Sequence, residues 1–172
     1  MIKTVVTLVY VLSILLSGLV LTSHGQSPEL AGQYFGQGHA AYTSGRYLEA
    51  AQLFEKSAEA EKNSPTPILY SLSNELSRTG ASYVIIGQYD KALKYYEESL
   101  AMDRKLGKED QIVIKLSNIG AVYHSWGQYD KVLQYFEEGL AIDRKLGKED
   151  NIATDLNNIG GVYRSWGEPW GT

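Results

Sequence analysis

Residues 87–126 and 127–166 spell one forty-residue unit twice, identical at 28 of 40 positions with no insertion or deletion. A period of this length belongs to folds built by stacking one supersecondary unit, because a single unit cannot bury its own apolar face. The duplication therefore dictates a solenoid before any individual residue is considered.

Inside the unit, apolar and small residues fall at two helical stripes. Ile112, Leu116, Ile119, Gly120 and Tyr123 step by three or four, and Ile152, Leu156, Ile159, Gly160 and Tyr163 repeat the stripe forty residues later. A second stripe, Tyr89, Ala92, Leu93, Tyr96 and Leu100, recurs as Tyr129, Val132, Leu133, Phe136 and Leu140. Each unit thus predicts two helices. Gly87 and Gly127 stand between them, where a tight turn needs a residue without a Cβ, and Asp90 and Asp130 then sit in a first turn, favourable to the helix dipole. Arg104 and Lys105 suit a last turn, Gly107 a C-terminal stop, and Asp110 the N-cap of the next helix.

These residues carry a family resemblance. Gly120, Tyr123, Gly127, Tyr129, Phe136 and Leu140 resemble the consensus of the tetratricopeptide repeat, and the forty-residue length is similar to its bacterial and kinesin-light-chain-like variants. Leu76, Leu116 and Leu156 stand where that family often has Trp, and Arg104 and Arg144 where it often has Pro. The resemblance implies an all-α, right-handed superhelical solenoid of antiparallel helix pairs, whose first helices line a concave surface.

A more diverged copy precedes the pair. Gly45, Tyr47, Ala50, Phe54 and Ser57 match Gly87, Tyr89, Ala92, Tyr96 and Ser99, and the two prolines of Asn63-Ser64-Pro65-Thr66-Pro67 forbid a continuous helix there. The expected array covers residues 26–166, with repeats at about 30–64, 68–106 and 110–146, a half repeat at 150–166, and an irregular tail at 167–172. Where a further Gly-Gln-Tyr-Asp-Lys is due, Gly167-Glu168-Pro169-Trp170 stands instead. The last helix carries a core stripe without a partner helix, so some apolar surface is expected to stay exposed, and the expectation is a truncated reading frame or the front of a longer ancestor.

Residues 1–25 read as a signal peptide. Lys3 precedes an uncharged, largely aliphatic run from Val5 to Leu21, and Ser23 and Gly25 are small residues ahead of a cut before Gln26. The competing reading is an uncleaved membrane anchor, since the run reaches the low end of the roughly 17 to 25 residues a span requires. No Cys follows the run, which excludes bacterial lipoprotein acylation, and the chain has no Cys for disulfides or thiolate metal sites. The expected location is periplasmic or extracellular, with membrane contact only if the segment is retained.

The charge balance excludes a nucleic-acid binder. Formal net charge is -4, and Lys and Arg alternate with Asp and Glu rather than clustering. His39 and His124 have no ligand spacing, so no metal is expected. Glu97-Glu98 and Glu137-Glu138 diverge on a helix surface and do not form an acid/base pair. The recurring tyrosines, Trp126 and Trp166 read as core or turn packing. Nothing assembles a nucleophile, base and oxyanion donor, so neither catalysis nor a cofactor is expected.

The duplication also suggests a contact surface. In the first helices, the two copies differ at Val113/Ala153, Ile114/Thr154, Lys115/Asp155, Ser117/Asn157, Ala121/Gly161 and His124/Arg164. Residues 114, 117, 121 and 124 share one face beside the core stripe, in the place of the family's groove. The candidate groove is then Asn74, Ser77, Ala81 and Val84 in one repeat, Ile114, Ser117, Ala121 and His124 in the next, and Thr154, Asn157, Gly161 and Arg164 in the last. Drift of unconstrained positions explains the differences equally well, and only their grouping on one face favours contact. The functional expectation is a non-catalytic exported scaffold that binds a protein or peptide in this groove. The alternative is the sensory or interaction part of a bacterial signalling receptor, of histidine kinase or cyclase type, without its output domain.

Overall fold

The computed structural model describes residues 27–167, all-α throughout: α1 Ser27–Thr43, α2 Tyr47–Lys62, α3 Leu69–Ile85, α4 Tyr89–Leu106, α5 Glu109–Ser125, α6 Tyr129–Leu146 and α7 Glu149–Trp166. The segment read as a signal peptide, the cut expected before Gln26 and tail residues 168–172 lie outside the described residues. Extensive packing joins each helix to the next, so the chain forms sequential antiparallel pairs, α1–α2, α3–α4 and α5–α6, with α7 laid on the last. No described helix is long and apolar enough to cross a membrane.

The turns follow from glycine. Gly87 and Gly127 adopt φ of 72° and 68°, a left-handed conformation that a Cβ disfavours. Each lets the following residue reach back, so that Gln88 N–H donates to Tyr83 O at 2.9 Å and Gln128 N–H to Tyr123 O at 3.0 Å. Gly107 closes α4 in the same way, with Lys108 N–H donating to Asp103 O at 3.0 Å, the paired-bond ending that satisfies the last carbonyls. Lys108 is itself the N-cap of α5, whose first residue is Glu109 and whose cap has no side-chain bond. Asp110 is therefore not the N-cap expected from sequence. One residue separates Gly107 from α5, which leaves no room for a capping side chain, and Asp110 serves instead as first-turn charge.

The helix pairs close on a glycine–aromatic contact. A Cβ built on Gly38 would lie 2.8 Å from the Phe54 ring, on Gly80 3.0 Å from Tyr96, and on Gly120 2.5 Å from Phe136. The second helix's ring thus seats on the bare backbone of the first, once per repeat. Around this contact Leu116, Ile119, Val122, Val132 and Leu140 form the main core, continuous with Tyr83, Ala92 and Leu100 of the preceding pair. Phe54, Ala41 and Ala50 make a separate cluster in the diverged first pair, and the prolines of the break fall in the non-helical link between α2 and α3. Trp126 and Trp166 pack at the turns, 5.8 Å from the Tyr89 ring and 6.2 Å from Tyr129.

Sequence identity does not carry identical burial into the last helix. Leu116 is 0% exposed, whereas Leu156, its counterpart in α7, is 39% exposed. Ile152 is half-buried where Ile112 is buried. The side of α7 that α6 covers on α5 meets no helix among the described residues.

Candidate functional site

The twelve residues singled out from sequence are spread over α3, α5 and α7, and none of them is buried. On α3, Asn74, Ser77, Ala81 and Val84 are half-buried, and Ala81 and Val84 lean against the main core. On α5, Ile114, Ala121 and His124 are exposed and Ser117 half-buried. On α7, Thr154, Asn157 and Arg164 are exposed and Gly161 half-buried.

Six of the twelve come together. Ser117, Ala121 and His124 of α5 and Asn157, Gly161 and Arg164 of α7 line one groove of about 420 Å3 between these two first helices. Its remaining walls are Phe136, Asn158, Val162 and Ser165. Val162 is buried and Phe136 half-buried, so an apolar floor lies under a polar rim. The His124 imidazole stands edge-on to Tyr129, with ring centroids 5.5 Å apart, which fixes the ring at the groove wall. Arg164 supplies a permanent cation. Ile114, Thr154 and the α3 quartet do not line this groove, and Thr154 Oγ1 turns back to Asp150 O at 3.0 Å.

Phe136 and Asn158 escaped the sequence reading for one reason. Comparing the two copies selects positions that changed; Asn158 matches Asn118, and Phe136 differs from Tyr96 only by a hydroxyl on a second helix. Glycine packing was the available signal, since the ring that covers Gly120 also reaches the groove.

A second omission concerns charge. Lys115 was set aside as a variable position, yet it is buried, and its Nζ lies 3.5 Å from Asp103 Oδ2, with both side chains almost wholly enclosed. Ser73 Oγ donates to the other carboxylate oxygen at 2.7 Å. Exposed pairs add outer ties between repeats: Arg104 with Glu138 at 2.6 Å, Lys62 with Glu98, and Lys148 with Asp110. Such exposed pairs are screened by solvent and contribute little to stability. No group of three or more potential metal ligands occurs among the described residues.

Residues 73–145 match the family model described as tetratricopeptide repeat. These are tetratricopeptide repeats. The match is narrower than the array expected over residues 26–166, although the helix pairing runs from 27 to 166. Among solved structures, BtubC (BKLC) from P. vanneervenii superposes with a TM-score of 0.67 at 20% identity, over 87% of this chain and 60% of that one. The Rap conjugation gene regulator of plasmid pLS20, solved with the Phr* peptide, gives 0.66 at 16% identity over 77% of this chain and 36% of its own. A Podosopora anserina kinesin light chain with nearly identical repeats gives 0.66 at 16% identity, over 83% and 69%. The chain thus spans less than two thirds of the first two, and at these identities the likeness is one of fold. No curated protein matches the sequence significantly.

Proposed function

We propose that this tetratricopeptide array is a non-catalytic scaffold, exported from the cell interior, that binds a peptide or a segment of a partner protein in the groove between α5 and α7. The observation that carries the reading is the convergence of Ser117, Ala121, His124, Asn157, Gly161 and Arg164 over the Phe136 floor. Half of the selected set lines one trough, and it is this grouping, rather than the divergence alone, that favours contact. Ser, Asn and Arg side chains there offer donors and acceptors for a peptide backbone, and the apolar floor offers a seat for one side chain. A preformed helical wall costs little ordering on binding. The solved Rap regulator with its Phr* peptide is a protein of like fold that holds a peptide. Export rests on the pattern of Lys3, Val5 to Leu21, Ser23 and Gly25.

The test is a paired capture. Tagged wild-type chain and a Ser117→Arg/Asn157→Arg variant are incubated with cell-envelope extract, and bound proteins are compared by mass spectrometry. Asn157 is exposed and Ser117 half-buried, neither in the core, so helical content should be kept and stability changed by no more than about 1 kcal/mol. The expected outcome is loss of the wild-type partners; the same partners on a folded variant remove the groove from recognition. Fractionation with N-terminal sequencing checks export, with a chain starting at Gln26 outside the cytoplasm expected and an uncut cytoplasmic chain refuting it.

A further inference from the structure

Glu61, Asp103 and Asp143 hold one structural position in three successive second helices, α2, α4 and α6, and are 4%, 0% and 1% exposed. Across each repeat junction, on the next first helix, stands the equivalent position of α3, α5 and α7: Glu75, Lys115 and Asp155. The middle junction is an acid with a base. The outer two are acid with acid.

Their hydrogen bonding shows the consequence. Asp103 Oδ1 accepts from the Ser73 hydroxyl, and Oδ2, without a hydrogen bond of its own, faces the Lys115 ammonium at 3.5 Å. Asp143 has neither counterpart, because Ser73 and Ser99 are replaced by Val113 and Gly139 and the lysine by Asp155. Both Asp143 carboxylate oxygens and Asp155 Oδ2 are enclosed and accept no hydrogen bond from the protein. At the first junction Ile68 N–H donates to Glu61 Oε1. Glu75 Oε1 accepts a long bond from Ser71 Oγ, 3.4 Å, and Oε2 accepts none, the neighbouring Ser57 hydroxyl being donated to Ala31 O at 2.8 Å.

Two carboxylates enclosed together cannot both ionise cheaply, and retaining one proton is the lower-cost solution. Burial is the first cause that pushes Glu75 up to about 7, the Glu61 charge adds to it, and the Ser57 and Ser71 hydroxyls oppose it. Asp155 is raised by burial and then by the Asp143 charge. The facing groups are these: α2 presents Glu61 and Ser57 to Glu75, and Asp103, the acid of α4 on the other side of α3, is taken up by Ser73 and Lys115. α6 presents Asp143 to Asp155, and Lys148 at the α6–α7 link pairs with Asp110 of α5 while also facing the Asp143 charge.

We propose that a proton held by each acid pair docks the two ends of the array onto its middle, so that packing at the first and third junctions depends on pH while the Asp103–Lys115 junction does not. The sign follows from the raised carboxyl. The folded chain keeps the Glu75 proton where the unfolded chain has lost it, so this contribution is fully present below pH 4.5 and is lost as pH rises to about 7.

Hydrogen exchange on the full chain between pH 5 and 8.5, corrected for intrinsic rate, tests this directly. Opening of α2–α3 and α6–α7 should increase with pH, by up to roughly a hundredfold at the first junction, while α4–α5 stays level. Glu75→Gln should flatten the first junction and Asp155→Asn the third, each leaving the other unchanged. Should Glu75→Gln fail to fold, Glu61→Gln keeps an oxygen for Ile68 N–H and removes the opposing charge, and should shift the first transition to lower pH. In the wild type, infrared difference spectra should show a protonated carboxyl lost between pH 6 and 8.5. Uniform protection across the pH range, an equal pH response at all three junctions, or a wild-type pH response at the matching junction in either neutralised variant overturns the proposal.

Discussion

Replacing Gly120 by Ala sets two known effects against each other at a site where the structure decides the winner. In a helix interior the substitution gains about 1 kcal/mol, because alanine loses less backbone freedom on folding. Against that, the new methyl would lie 2.5 Å from Phe136 Cε1 and 2.8 Å from Cδ1, well inside carbon–carbon contact. Relief requires the ring to slide off the α5 backbone, and overpacking of this kind costs about 1–3 kcal/mol. The net expectation is a loss of up to about 2 kcal/mol. Gly161, also helical, meets only Arg164 Nη2 at 3.8 Å, so Gly161→Ala should gain up to about 1 kcal/mol. Urea unfolding followed by circular dichroism on both variants gives the comparison, and the opposite signs are the point. A Gly120→Ala chain as stable as Gly161→Ala would refute the ring-on-backbone packing. Gly120→Ala combined with Phe136→Leu should recover part of the loss, because the shorter side chain vacates the contact.

Lys115→Met should cost about 3–5 kcal/mol in the same assay, since it strands a buried Asp103 carboxylate, and adding Asp103→Asn should recover most of it. Leu116→Ala should cost about 2–5 kcal/mol as a buried deletion, whereas Leu156→Ala at the same place in the repeat should cost well under half as much, because the side chain is already partly in water.

Helix phase, the core stripes and the glycine turns could all be read from the chain because each is set by neighbours three or four residues away, and the duplication states each one twice. Asp110 was misassigned because side-chain preference says where caps are favoured but not how closely a left-handed Gly107 brings the next helix. The buried Lys115 was missed for a different reason. Its partner lies on another helix, and beside the core stripe a lysine that becomes Asp155 one unit later looks like surface drift. The groove was half legible: divergence found Ser117, His124, Asn157 and Arg164, and was blind to Phe136 and Asn158, which the copies share or nearly share. On α3 the same reasoning chose Ala81 and Val84, which the core claims.

Nearly all the packing here runs between helices adjacent in sequence, so the chain resembles a stack of tiles that can peel from either end. The trough between α5 and α7 skips a helix. An occupant reaching from Ser117 to Asn157 is a clasp between non-consecutive tiles, and its binding energy adds to the resistance of α7 to peeling. Occupancy of the trough and fraying of that end are for this reason one linked equilibrium.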